Sequence, residues 1–256
     1  MLNYVDFISN EDFEEVVRTL IKKYEGTKDE INYKKFTANQ IDPIKFIFDK
    51  SILNQSDEEK IKSEITRKID KTITNAIGDF HEDLLGKIEG YKKYPVGYGY
   101  DIKADDNSIY ADIKNKHNTV KGSDLKNLYK NLESYIQESD NPNAKAYWVQ
   151  IISSGKSFNQ NWKIPKENLN NPKVFKISGD KFYELLTGRK NAFYEVCVAL
   201  PKVINKVKNE NQYKEIAQNT ELINDLKTRS KNKNIDITTQ IFNETFKNYN
   251  GFPIEP

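Results

Sequence analysis

From residue 108 to 116 apolar and polar side chains alternate. Ile109, Ala111, Ile113 and Asn115 fall on one side; Tyr110, Asp112, Lys114 and Lys116 fall on the other. A period of two marks an extended strand whose faces see different surroundings. The segment before it, Tyr98–Lys103, puts Gly99, Asp101 and Lys103 on a common face. Between the two, Ala104-Asp105-Asp106-Asn107 is rich in residues that bend the backbone. The pattern predicts a hairpin.

Elsewhere the helical period dominates. Phe13, Val16, Val17, Leu20 and Ile21 form a stripe in a helix over 11–25, capped by Asn10. Asp42 and Pro43 open a short helix expected to bury Ile44, Ile47 and Phe48. Ser56-Asp57-Glu58-Glu59 has the form of a capping box. From it a long helix runs toward Gly78, expected as an interruption, with Ile61, Ile65, Ile69, Ile73 and Ile77 at steps of four. Glu89–Tyr98 is predicted as a loop, with Lys92 and Lys93 able to approach a phosphate backbone. After the hairpin, Ser123 is placed to cap a helix over Asp124–Glu138. Ala146–Ile152 is a near-continuous apolar run, expected as a central parallel strand. Gly155–Asn161 reads as a loop, 174–177 as a strand, 181–186 and 191–207 as helices, and 211–228 and 237–248 as two tail helices. The whole is an α/β protein with a mixed central sheet flanked by helices: one domain over 1–256, with a core of about 56–207 and helical additions at 1–55 and 208–256.

Charged residues make up 30% of the 256, yet the net charge is only +2, so composition alone does not announce a nucleic-acid partner. The four arginines, Arg18, Arg67, Arg189 and Arg229, are few for bidentate base reading. A single cysteine, Cys197, excludes an intramolecular disulfide and a cysteine-based zinc cluster, and its apolar neighbours predict a buried thiol. With neither a signal-like segment nor a long apolar run, the chain reads as soluble and cytoplasmic.

The chemistry concentrates in the hairpin. Pairing brings Asp101 beside Asp112, with Lys114 on the same face as Asp112. Two carboxylates held together repel and lose solvation, so a cation or an ammonium must balance them. An oxygen-rich site with few protein ligands suits Mg²⁺, which polarises a phosphodiester and activates water. Lys114 is placed to orient that water or to stabilise charge on phosphate oxygens. The helix start after Gly122 offers free amides to a phosphate, with Lys116, Lys121 and Ser123 as further contacts. A solvated strand face carrying an ordinary ion pair is the competing reading of the same residues.

The spacing Asp101–x10–Asp112–x–Lys114 resembles the PD-(D/E)xK nuclease superfamily, with Tyr100 where that superfamily has its dispensable proline. The longer string Lys114-Asn115-Lys116-His117-Asn118-Thr119-Val120-Lys121-Gly122-Ser123 is similar to a signature of the Eco47II/Sau96I type II restriction endonucleases, as are 77–86 and 177–188. The resemblance covers about residues 75–200. It implies a restriction-endonuclease-like core and Mg²⁺-dependent cleavage of double-stranded DNA at a GGNCC or GGWCC palindrome by a homodimer. It implies metal binding by Asp101, Asp112 and the Ile113 carbonyl, with Glu82 as a third acid from the preceding helix. His117, Asn118, Thr119 and Arg189 are then candidates for DNA contact. Another PD-(D/E)xK nuclease acting on repair or branched substrates, or a non-catalytic DNA-binding protein, are the alternatives.

Overall fold

The computed structural model describes residues 3–27, 31–38, 41–154, 156–210 and 220–245. The chain forms two compact units, one of residues 1–22 and 75–212, the other of 23–74 and 213–256.

The first unit is built on a six-stranded mixed sheet. Its strands are β1 (Tyr91–Lys93), β2 (Ile102–Ala104), β3 (Ile109–Lys116), β4 (Lys145–Ile152), β5 (Asn159–Asn161) and β6 (Val174–Ser178), in the order β1-β2-β3-β4-β6-β5. β3, β4 and β6 run parallel; β1, β2 and β5 are antiparallel to their neighbours. The predicted alternation sorts the two faces. Ile109, Ala111 and Ile113 join Tyr147, Val149 and Ile151 of β4 in a core with α1 (Asn10–Gly26), the last turns of α4 (Asp57–Leu85), α6 (Gly179–Thr187) and α7 (Ala192–Asn209). Tyr110 joins Ala146 and Trp148 on the other face, beneath α5 (Leu125–Gln137). Trp162 is buried there against Trp148 and Tyr129, as a core residue.

The second unit is helical. It comprises α2 (Tyr33–Thr37), α3 (Pro43–Ile52), residues 57–74 of α4, α8 (Thr220–Asn232) and α9 (Ile237–Thr245), packed around Phe36, Phe46, Ile61, Ile65, Leu226 and Ile241. The tail helices are thus observed over 220–232 and 237–245; residues 211–219 and 246–248 of the expected spans lie outside the described residues. Lys60 is fully buried in this unit, its ammonium 2.9 Å from both Asp49 and Glu64. No helix among the described residues is long and apolar enough to cross a membrane.

Several local expectations are corrected. The α1 cap is Ser9, whose Oγ accepts the Asp12 amide at 3.1 Å, because the Asn10 carboxamide is engaged by the Tyr4 amide. α4 passes through Gly78 without a break. A mid-helix glycine costs about 1 kcal/mol, and burial of Phe80, Leu84 and Leu85 beyond it outweighs that. Residues 91–93 and 159–161, expected in loops, are short edge strands, too brief to show a period. Lys92 is paired with Asp105 at 2.7 Å. A 3-10 turn, Gly122–Asp124, precedes α5, and the Ser123 hydroxyl turns to Asp124 at 3.3 Å instead of capping the helix. α7 buries Ala192, Val196, Ala199, Val203 and Val207, a stripe that leaves Cys197 exposed. On α3 the expected Asp42 cap forms, but Phe46 is buried while Ile44, Ile47 and Phe48 face outward. One short helix can bury only one side, and the packing uses the other one.

Candidate active site

The hairpin register, Ile102 opposite Ala111 and Lys103 opposite Tyr110, carries Asp101 toward Asp112. The regular strand is shorter than expected and begins after Asp101, because Gly97 and Gly99 take left-handed φ values of +109° and +87° and turn the chain. Gly99 also runs so close to Tyr135 that a Cβ there would lie 1.9 Å from the phenol oxygen. Tyr94, Tyr98, Tyr100, Tyr110 and Tyr135 interlock around this bend, with ring centroids 5.0 to 6.5 Å apart. Asp101 is fixed at both ends. Its amide donates to the Ala111 carbonyl at 2.8 Å and its Oδ2 accepts the Ile113 amide at 2.6 Å. The turn closes with Asn107 in the left-handed region and Asp106 Oδ1 accepting the Ser108 amide at 2.9 Å.

Asp112 stands mid-strand on the α5 side, and Lys114, two residues on, shares its face. The Lys114 ammonium is 2.7 Å from Asp112 Oδ1 and 3.4 Å from the Ile113 carbonyl. Glu82, from the last turns of α4, is 3.2 Å from Lys93 of β1, which also meets Asp83 at 2.8 Å. Charge ties these groups together. Burial pushes the Asp112 carboxyl up, Lys114 opposes the shift and Asp101 adds to it. Burial also raises Glu82, with Asp101 adding and Lys93 opposing. The Tyr135 phenol is raised by burial and then by Asp112 and other nearby groups, Asp101 among them. Asp101 is therefore the centre of a small acidic focus that takes in Asp112, Glu82 and Tyr135.

This focus fits a hard cation. All its available donors are oxygen, and Asp112 Oδ1 is buried with no hydrogen-bond partner beyond its ion-pair contact with Lys114. Among the described residues no three Asp, Glu, His or Cys side chains form a ligand cluster. What the protein could offer a cation here is two carboxylates and a carbonyl, an incomplete oxygen shell that water and phosphate oxygens would have to complete. The Lys114 ammonium sits on two of those three donors, where positive charge is needed.

The other predicted residues are distributed as follows. Lys116, at the end of β3, and His117, Asn118, Thr119, Lys121 and Ser123, on the segment leading to α5, are all exposed. The His117 amide is held by the Ile152 carbonyl at 3.0 Å, which leaves the side chain free to face outward. Arg189 is not brought to the acidic focus by any contact; it is held at the α6–α7 junction by Glu195 at 3.1 Å and Asp6 at 3.2 Å. His81 is buried against Phe80, Tyr183 and Phe193, its Nδ1 3.3 Å from the Tyr183 hydroxyl. Burial holds it well below the ordinary imidazole value, at about 4. Between pH ~6.5 and ~4 the unfolded chain therefore takes up a proton that the folded chain refuses, and stability falls as pH falls through that window, by up to about 3 kcal/mol. Urea unfolding at pH 7 and pH 4.5 should show His81→Phe losing less stability between the two than the parent; equal losses would remove His81 as the cause.

Over residues 5–209 the sequence matches the profile of the Eco47II restriction endonuclease family. The chain belongs to that family. It is 40% identical over 208 residues to the type II restriction enzyme Sau96I of Staphylococcus aureus, covering 77% of this chain and 78% of that enzyme. It is 35% identical over 218 residues to the type II restriction enzyme Eco47II of Escherichia coli, covering 82% and 90%. The mixed six-stranded sheet flanked by helices is consistent with a restriction-endonuclease-like fold.

In this member of the Eco47II family, two groups that the sequence did not single out share the face of Asp112. Trp148 pairs in register with Asp112 on one side and with Lys176 on the other. The half-buried Lys176 ammonium lies 4.6 Å from the Trp148 ring and has no acidic or hydrogen-bond partner among the described residues. Burial lowers its pKa. Only the β4–β6 pairing reveals this placement; in sequence Lys176 is one lysine among many.

Proposed function

We propose that this chain hydrolyses double-stranded DNA at a specific palindrome, with Mg²⁺ held by the Asp101 and Asp112 carboxylates and the Ile113 carbonyl. The observation that supports the reading is the Lys114 ammonium 2.7 Å from Asp112, with the Asp101 carboxylate 2.6 Å from the amide of Ile113 between them. When bound, the metal supplies a Lewis acid for the phosphodiester and lowers the pKa of water. Lys114, anchored by Asp112, orients the attacking water and stabilises negative charge on the phosphate oxygens. Glu82, steadied by Lys93, orients solvent or contributes to a second cation. Lys116, Lys121, Ser123 and the amides leading into α5 take the phosphate backbone. Lys176, which has no acidic partner among the described residues, offers a further positive charge on the same sheet face. His117, Asn118, Thr119 and Arg189 are the candidates for DNA contacts that include base edges. Homology to Sau96I and Eco47II supports a GGNCC- or GGWCC-like target, and a palindrome is met most simply by a homodimer with one site per strand.

Digestion of a sequenced plasmid with Mg²⁺, and with a chelator in its place, tests this directly. Discrete fragments whose mapped ends share one GG–CC motif, absent with the chelator, are expected. Cutting of branched DNA alone, or fragments that persist with the chelator, would overturn it.

A further inference from the structure

The α3 helix is the place where sequence pattern and packing part most sharply. Asp42 Oδ1 accepts the Ile44 and Lys45 amides at 3.0 and 3.1 Å and so fixes the helix start. Phe46 then points inward, 1% exposed, edge-on to Phe242 at 5.4 Å. The rest of the apolar content points out. Ile44 is 67% exposed, Ile47 50%, Phe48 62%, Ile52 72% and, at the C-cap, Leu53 62%. At 100° per residue, Ile44, Ile47, Phe48 and Ile52 fall within an arc of about 140°, with the small Ser51 among them. This is an amphipathic face that nothing among the described residues covers. Together the four side chains of that arc expose roughly 500 Å², within the range for the largest apolar patch on a monomer.

We propose that this face is where two copies of the chain meet about a two-fold axis. The stripe is self-complementary. Ile44, Phe48 and Ile52 are spaced at steps of four and are symmetric about Phe48. Laid antiparallel on its own copy, the helix sets Phe48 against Phe48, and Ile44 of each copy against Ile52 of the other, as an isologous contact requires. Ridges at steps of four are those that interlock in the commonest helix crossing. The apolar patch alone supplies most of the ~800 Å² per partner of a standard interface, and its polar flank, Lys45 ion-paired with Asp49, forms a rim. The inference deepens the homodimer reading above and rests on it for its meaning, but its test does not use cleavage.

The test is sedimentation equilibrium of the full chain at micromolar concentration. The parent is expected to be dimeric. Phe48→Glu should weaken association about a hundred-fold or more, the effect of a charge at the centre of a desolvated contact. Its thermal unfolding as a monomer should be that of a folded chain, because Phe48 makes little use of its own unit. Phe48→Lys alone should be monomeric too, and a mixture of Phe48→Glu with Phe48→Lys should form a one-to-one dimer, since the two-fold sets position 48 against itself. A Phe48→Glu protein as dimeric as the parent would overturn the surface while leaving the homodimer reading intact. A monomeric parent would overturn both. A parent that dimerises only when residues 246–256 are deleted would show that the chain's own tail is the occupant, and would overturn the proposal as well.

Discussion

Asp112→Asn is expected to abolish DNA cleavage, by roughly a thousand-fold or more, equivalent to ~4 kcal/mol of activation free energy, while the protein stays folded and loses no stability at neutral pH. The two halves of this expectation come from the same geometry. Burial first, and the Asp101 charge in addition, disfavour a carboxylate at this position, and Lys114 only partly compensates. The folded chain therefore holds the Asp112 charge at a cost, and the near-isosteric amide removes that cost. A residue kept for structure alone would behave in the opposite way, since its loss would lower stability and spare chemistry. The substitution also removes a negative charge beside the proposed phosphate site, so binding to the target duplex should be preserved or tightened. Fragment formation, thermal unfolding and fluorescence anisotropy with a labelled duplex read the three consequences separately. Retained cleavage would show that the acid pair is not the catalytic centre. Lost cleavage together with a large drop in melting temperature would mean that Asp112 acts through the fold.

How much of this was legible before the structure depends on the kind of signal. The alternation in β3 placed Asp112 and Lys114 on one face and Ile109, Ala111 and Ile113 on the other, and both faces are as expected. A period of two fixes sidedness without any knowledge of neighbours. The Ser56–Glu59 capping box is likewise a local motif, and it forms with the Ser56 amide 2.8 Å from the Glu59 carboxylate. What failed needed partners distant in sequence. The Asn10 side chain had a better use on the Tyr4 amide than at the helix start. Cys197 lies one position off the stripe that α7 buries. Edge strands such as β1 borrow their conformation from β2, and three residues carry no period of their own. The role of Lys176 is of the same kind, since only the order of parallel strands sets it two places from Asp112. On α3 the period marks an amphipathic helix but not which side is buried, because pattern reports that a face is apolar and not what covers it.

The second large effect expected is in the helical unit, where removing one partner of a buried charge should be far worse than removing the charge itself. Lys60 is fully enclosed, with its ammonium between Asp49 and Glu64 and 5.1 Å from the Phe46 ring. Glu64 is itself buried and is held a second time by Arg67, through Nε at 2.9 Å and Nη2 at 2.7 Å. Asp49 is held a second time by Lys45. Glu64→Ala leaves a buried ammonium with one carboxylate in place of two and opens a void beside it. The loss should lie at the lower end of the ~3–5 kcal/mol that follows from breaking a buried pair, since Asp49 remains. Lys60→Met deletes the desolvated charge, fills the space of the lysine stem against Phe46, and leaves both acids with a partner, so a change within about 1 kcal/mol is expected. Denaturant unfolding of the two variants, with hydrogen exchange over residues 57–65 to assign the transition to this unit, compares them directly. If Lys60→Met is as damaging as Glu64→Ala, then the ammonium contributes net attraction here and the desolvation argument is wrong. If Glu64→Ala is harmless, the lysine has given up its proton or reached water, and its enclosure does not hold in solution.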